Sequence, residues 1–195
     1  GFVTLTQALE ALSRGERLRT ADLEEILGTL MDGEAPPAQS AALLMALRMQ
    51  GETASDLIAA ARALRARATT VPAPVAGAVD TCGTGGDATG TYNISTGSAL
   101  VVAACGVPVA KHGNRAMSGS SGSADVLEAL GVNITLGPED VKNCITEAGI
   151  GFMFAQAFHP AMKFAGTLRP QLGIRTIFNF LGPLTNPAGV NRQVI

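Results

Sequence analysis

The sequence VDTCGTGGDATGTYNISTGSALVVAA, residues 79–104, decides how the chain is built. It opens as a short strand ending at Thr81 and passes through Gly83, Thr84, Gly85, Gly86 and Asp87. A helix then starts at Asn93, Ile94, Ser95 and Thr96 and runs to Ala104. Strand, glycine loop and helix N-terminus, in that order, make an anion site. Glycines let backbone N–H groups approach a phosphate without a Cβ in the way, and the helix start adds partial positive charge. A dinucleotide fingerprint is the nearest competitor, since Gly83, Gly85 and Ala88 satisfy its permissive form. It fails its second requirement, an acid about 20 residues on for the ribose, because no Asp or Glu falls between Asp87 and Asp125. No glycine is followed by Lys and then Ser or Thr, which removes a Walker loop as well.

Downstream, Lys111, His112, Gly113, Asn114 and Arg115 follow a predicted strand at Val107 to Ala110, and a Ser/Gly run from Ser118 to Ser123 comes next. No Lys or Arg occurs between Arg67 and Lys111, so the first cations after the glycine loop stand together at the end of a neighbouring strand. A phosphorylated ligand could meet both there. His112 is read as a hydrogen-bonding histidine rather than a general base. Its only fellow is His159, and no Ser/His/Asp or metal set forms around either. Further strand and helix signals alternate: a strand at Val132 to Leu136, helices at Ser123 to Leu130 and Pro138 to Ala148, with Gly131 and Gly149 where C-caps belong. The alternation predicts a mainly parallel sheet covered by helices, with ligands at the carboxyl ends of the strands.

Upstream the period is helical. Leu5, Leu9 and Leu12 share a face, as do Leu23, Ile26, Leu27 and Leu30, and four helices fit before residue 70. Thr4 with Gln7 and Thr53 with Asp56 have capping-box spacing or a near variant, Pro36 and Pro37 suit a first turn, and Gly51 suits a stop. Only five of the 23 glycines lie in this part, and Val71 to Gly77 breaks the period as a linker does. The expected organisation is an α/β protein with a helical domain over residues 1–70 and an α/β domain over 71–195. Residues 155 to 190, richer in Phe, Pro and helix-like stretches such as Arg175 to Leu181, are expected to return to the first helices.

Composition limits the function. With 47% hydrophobic and 15% charged residues the chain can bury a core, and a net charge of -2 gives no field for nucleic acid or an anionic membrane. Cys82, Cys105 and Cys144 form no CxxC pair and read as reduced structural thiols. The longest apolar runs, such as Ala99 to Gly106, are far short of a membrane span, and no basic region precedes an apolar stretch at the N-terminus. A cytoplasmic protein with a small ligand is expected. The start at Gly1 and the stop at Ile195, where a strand is just beginning, suggest a fragment.

GTGGD, NIST and KHGNR, in this order and spacing, resemble the anthranilate phosphoribosyltransferases, of the type III fold shared with nucleoside phosphorylases. The resemblance extends through SGSADVLEALG at Ser121 to Gly131 and RTIFNFLGPLTNP at Arg175 to Pro187. It implies transfer of the phosphoribosyl group of 5-phosphoribosyl 1-pyrophosphate (PRPP) to anthranilate in tryptophan biosynthesis. By that resemblance Gly83, Gly86, Asp87, Thr91, Asn93, Ile94, Ser95 and Thr96 hold the pyrophosphate end, with Ser95 on one Mg2+. Lys111, His112, Gly113, Asn114, Arg115, Ala116, Met117, Ser118, Gly119 and Ser123 embrace the phosphoribosyl group, while Gly83, Asn114 and Arg169 meet anthranilate. Family members more often show a small aliphatic residue at Met117 and Ser at Gly119. A second Mg2+ would take an Asp-Glu pair from beyond Ile195, so these residues alone are expected to be inactive. A homodimer through the N-terminal helices is also implied. A pyrimidine nucleoside phosphorylase-like enzyme of the same fold is the alternative, although its loops resemble neither GTGGD nor KHGNR. A non-catalytic sugar-phosphate binder of the fold is the reading from a different class, and the presence of Asn114 and Arg169 speaks against it.

Overall fold

The computed structural model describes residues 3–72, 75–84, 92–116 and 121–195. These form two compact units, residues 1–68 with 159–181, and residues 69–158 with 182–195.

The helical unit begins with the four expected helices: α1 (Leu5–Ser13), α2 (Thr20–Met31), α3 (Pro37–Gln50) and α4 (Ala54–Arg65). Thr4 accepts from Gln7 N and Thr53 from Asp56 N, each with the reciprocal bond of a capping box. Such caps satisfy N–H groups that the first turn leaves open. Gly51 ends α3 at φ 77°, a left-handed value that a side chain resists. Leu23, Leu27, Leu43, Leu44 and Leu64 are buried together, and α2 lies against α4 while α1 lies against α3. Full burial of one such leucine contributes roughly 1.5–3 kcal/mol, so this apolar stripe accounts for much of the unit's stability. The unit is completed by α9 (Met162–Leu172) and a 3-10 turn (Ile177–Phe180), whose Ala165, Leu168, Ile177 and Phe178 join the same core.

In the α/β unit, β1 (Val109–Gly113) pairs in parallel with β2 (Ile150–Phe154), from Val109 opposite Ile150 to Gly113 opposite Phe154. Parallel bridges Val79 to Val109 and Asp80 to Gln193 extend the sheet on the other side of β1. Around it stand α5 (Ile94–Ala104), α6 (Ser123–Ala129), α7 (Pro138–Ala148) and the single turn α8 (Ala155–Phe158). Gly149 caps α7 in the left-handed conformation and feeds β2 directly.

Three expectations are corrected. The strand expected at Val107 to Ala110 begins two residues later, at Val109. Val107 N turns back to Val102 O after the left-handed Gly106, and Pro108 has no N–H, so Val109 N is the first donor into the ladder, to Gly149 O at 2.8 Å. Lys111 and His112 therefore belong to the strand itself. The strand expected at Val132 to Leu136 is a turn. Asn133 Oδ1 accepts from Thr135 N at 3.0 Å and from its hydroxyl at 2.9 Å, a local closure that competes with a ladder. Of its apolar residues, Ile134 is buried while Val132 is 42% exposed. Finally, residues 155 to 190 divide between the units. Residues 159–181 lie with the helices, but Val71 N bonds Pro187 O, and Asn186 bonds Asp80, which holds the end of that stretch in the α/β unit.

Candidate functional site

The helix α5 starts without a side-chain cap, although Asn93 occupies the cap position. Asn93 instead sends Nδ2 to Ser121, reaching its hydroxyl at 2.8 Å and its carbonyl at 3.3 Å. Within that first turn Ile94 N bonds Tyr92 O at 2.7 Å and Thr96 N bonds Asn93 O at 3.1 Å, so among the described residues Ser95 N and the positive potential of the helix start are what remain for an anion. Thr96, on the same first turn, is 1% exposed, and its hydroxyl has no hydrogen-bond partner among the described residues. Ser95 is half-buried beside it.

Lys111 reaches this turn from β1. It is 2% exposed, and Nζ donates to Thr81 Oγ1 at 3.2 Å, while that hydroxyl donates to Ser95 O at 2.7 Å. An ammonium has three N–H donors, so among the described residues Lys111 keeps two for a ligand. Burial pushes its pKa down, and the Asp80 carboxylate works against that shift.

Asp80 is fully buried and organises the strand ends. It accepts from Cys82 N and His112 N at 3.1 Å each and from Asn186 Nδ2 at 2.8 Å; the same amide donates to Ala110 O at 2.9 Å. Desolvation raises its pKa, opposed by these bonds and by Lys111. The ligand-capable atoms of Asp80, Cys82 and His112 lie within 4.8 Å of one another, but their chemistry is that of a closed polar core. Burial, and then the Asp80 charge, push the Cys82 thiol up to about 12, so it stays protonated. Burial holds His112 down to about 4, and its Nδ1 lies 2.9 Å from Gly182 O. A neutral imidazole bonded to a carbonyl holds backbone in place.

The loop after β1 is fastened by Asp125. One carboxylate oxygen accepts from Ala116 N at 2.9 Å and Gly122 N at 2.7 Å, so both flanks of residues 117–120 meet one side chain. Gly122 is required here, because a Cβ would run into the backbone of Asn114, Arg115 and Ala116. At Gly113 a Cβ would strike the Ser123 hydroxyl and the Phe152 ring. Asn114 O accepts from Ser123 Oγ at 3.3 Å, and Asn114 Oδ1 from Arg115 N at 2.8 Å. Arg115 faces α6: it pairs with Asp125 at 3.0 Å and Glu128 at 2.8 Å and lies over the Phe154 ring. Those carboxylates hold its pKa above the ordinary guanidinium value.

The structure thus brings Asn93, Ser95, Thr96 and Lys111 together, sets Gly113 and Asn114, at the end of β1, against Ser123 at the start of α6, and engages Arg115 elsewhere. Gly83 is exposed at the start of the glycine loop. The proposed site residues Gly86, Asp87, Thr91, Met117, Ser118 and Gly119 lie outside the described residues. Arg169 belongs to α9 of the helical unit, half-buried, with no ion pair among the described residues; burial lowers its pKa. Thr81, Asp80, Asp125 and Asn186 were not foreseen. Asp125, three residues after Gly122 at the start of a helix, carried a readable signal, the acid position of a capping box.

Residues 6–68 match the helical bundle domain, and residues 75–195 the a/b domain, of a glycosyl transferase family. The chain belongs to that family. Within it, the chain is 56% identical over 184 residues to an anthranilate phosphoribosyltransferase of Chelativorans sp., covering 94% of this chain and 54% of the relative. The crystal structure of the Thermus thermophilus anthranilate phosphoribosyltransferase is similar at TM-score 0.90 and 49% identity, over 96% of this chain and 57% of that one. A Saccharomyces cerevisiae anthranilate phosphoribosyltransferase solved with PRPP and Mg is similar at TM-score 0.89 and 28% identity, over 97% and 57%. The chain spans about half the length of the relatives it matches.

Proposed function

We propose that the chain carries the PRPP-binding part of an anthranilate phosphoribosyltransferase. The observation that supports it most is the convergence of a helix start without a side-chain cap, a Thr96 hydroxyl with no partner among the described residues, and a buried lysine whose one hydrogen bond among them leaves two donors. A polyanion such as pyrophosphate would use all three. In this reading Gly83, Gly86, Asp87, Thr91, Asn93, Ile94, Ser95 and Thr96 hold pyrophosphate. Lys111 to Gly119 and Ser123 enclose the phosphoribosyl group, and Gly83, Asn114 and Arg169 meet anthranilate.

The reaction breaks the bond from the anomeric carbon to pyrophosphate oxygen and forms one to the amine nitrogen, whose proton passes to solvent. A neutral aromatic amine needs no strong base, which agrees with the neutral, carbonyl-bonded His112. Rate acceleration would come from donors fixed where the leaving group gathers charge and from alignment of the amine. Ser95 offers a hydroxyl oxygen at the first turn of α5, a hard donor suited to Mg2+, which takes few protein ligands and keeps phosphate oxygens and water. Bound there with PRPP, the metal would neutralise charge on the leaving pyrophosphate. Two ions are proposed for the complete enzyme, together with a homodimer through the α1–α4 helices, where Met49 and Ile58 are exposed, and a cytoplasmic location.

The test is substrate dependence in the longest form of the protein its gene encodes. Pyrophosphate release that needs both PRPP and anthranilate supports the reading. Turnover of a nucleoside with phosphate would replace it by a phosphorylase.

A further inference from the structure

Thr81 stands between the two parts of the anion site, and both hydrogen-bonding roles of its hydroxyl are in use. It donates to the Ser95 carbonyl at 2.7 Å and accepts from Lys111 Nζ at 3.2 Å. Thr81 is 6% exposed and Lys111 2%, so water cannot readily replace either bond. Among the described residues Lys111 makes no other hydrogen bond. The Ser95 carbonyl lies in the first turn of α5, so the bond to it also fixes where that turn directs its N–H groups. A β-branched side chain is stiff at χ1, which lets Thr hold one hydroxyl direction.

We infer that Thr81 is a positioning residue for the pyrophosphate subsite, joining the Lys111 ammonium to the start of α5 through one hydroxyl so that both meet the same anion. The inference rests on the phosphoribosyl-transfer reading. A residue of the same shape without the hydroxyl would pack equally well. It would leave Lys111 without its one hydrogen bond among the described residues and Ser95 O without the donor from Thr81.

The experiment uses Thr81→Val and Thr81→Ser in the longest encoded form, with each substrate varied. T81V raises the KM for PRPP about tenfold and leaves that for anthranilate within about twofold, the loss expected of one hydrogen bond to a charged group. T81S restores the PRPP value. A second readout is the alkaline limb of kcat/KM for PRPP. Without its acceptor the buried ammonium deprotonates more easily, so the limb moves to lower pH in T81V and returns in T81S. Equal shifts of both KM values, an unmoved alkaline limb or no rescue by Ser overturns the inference. If T81V does not fold, as circular dichroism would report, Thr81→Ala takes its place with the same criteria. Inorganic pyrophosphate titrated calorimetrically separates this inference from the functional reading. Weaker pyrophosphate binding by T81V, in a protein that turns nothing over, retains the positioning role and removes the transferase. Equal binding by parent and T81V, or none by the parent, overturns the positioning role.

Discussion

Replacing Asp80 by Asn tests whether the strand ends are held by a charge or only by shape. In the native protein the carboxylate accepts three hydrogen bonds, from Cys82 N, His112 N and Asn186 Nδ2, and it faces the buried Lys111. An Asn carbonyl can keep the two backbone donors. Its amide then faces the Asn186 amide, donor against donor, and one charge-assisted bond is lost at about 1.5–3 kcal/mol. Lys111 also loses the charge that favours its protonated form, while the desolvation cost of Asp80 disappears. The balance is a loss of about 2–3 kcal/mol. Urea unfolding followed by circular dichroism at neutral pH measures it. A double-mutant cycle isolates the charge term: in a Lys111→Met background the same substitution costs about 1 kcal/mol less. A D80N protein within about 0.5 kcal/mol of the parent, or additive costs in the cycle, would refute the reasoning.

Other outcomes follow from the same geometry. Burial holds His112 at about 4 against an ordinary 6.5, so the unfolded chain binds this proton first as pH falls. Stability present above pH 6.5 is therefore lost progressively down to about pH 4, by about 3 kcal/mol, and His112→Asn, whose amide can still donate to Gly182 O, flattens urea midpoints across that window. Asp125→Asn loosens the loop flanks and raises the KM for PRPP about tenfold in steady-state kinetics, with little effect on that for anthranilate. Arg169→Ala does the reverse, raising the anthranilate KM roughly ten- to a hundredfold, since a guanidinium fork suits a planar carboxylate; equal shifts for both substrates would remove that role. The complete protein runs as a dimer in light scattering at micromolar concentration.

Local signals were legible where the sequence states its own hydrogen bonds. Thr4, Thr53 and Gly51 mark helix ends by groups within one turn of themselves, and the leucine period marks the buried face. What failed was decided either by a local bond that overrides composition or by a partner far along the chain. Val132 to Leu136 has strand composition, but Asn133 closes a turn before any ladder can form. The strand Ile150–Phe154 was missed for the opposite reason. It is a short apolar run behind a C-cap glycine, and only pairing with β1, about 40 residues earlier, makes it a strand. Asn186 is the clearest case: in the sequence it is a loop residue before a proline, yet it spans 106 positions to Asp80.

The same distinction divides the two cations of KHGNR. Sequence places Lys111 and Arg115 side by side as equal candidates for a phosphate. Strand geometry separates them, because Lys111 lies within β1 and is carried into the interior, whereas Arg115 follows its end and turns outward over α6. There two carboxylates occupy the Arg115 fork, and exposure keeps each pair cheap to exchange. Lys111 meets the reverse conditions, with low exposure and, among the described residues, one hydroxyl partner and two unused donors. A desolvated ammonium gains more from an incoming anion than a solvated, already paired guanidinium, since little water must be displaced and, among the described residues, no carboxylate accepts a hydrogen bond from it. In the proposed reading, the charge that the described residues can offer a phosphate is therefore concentrated at Lys111 and the first turn of α5, and the contribution of Arg115 is to the shape of the loop beside them.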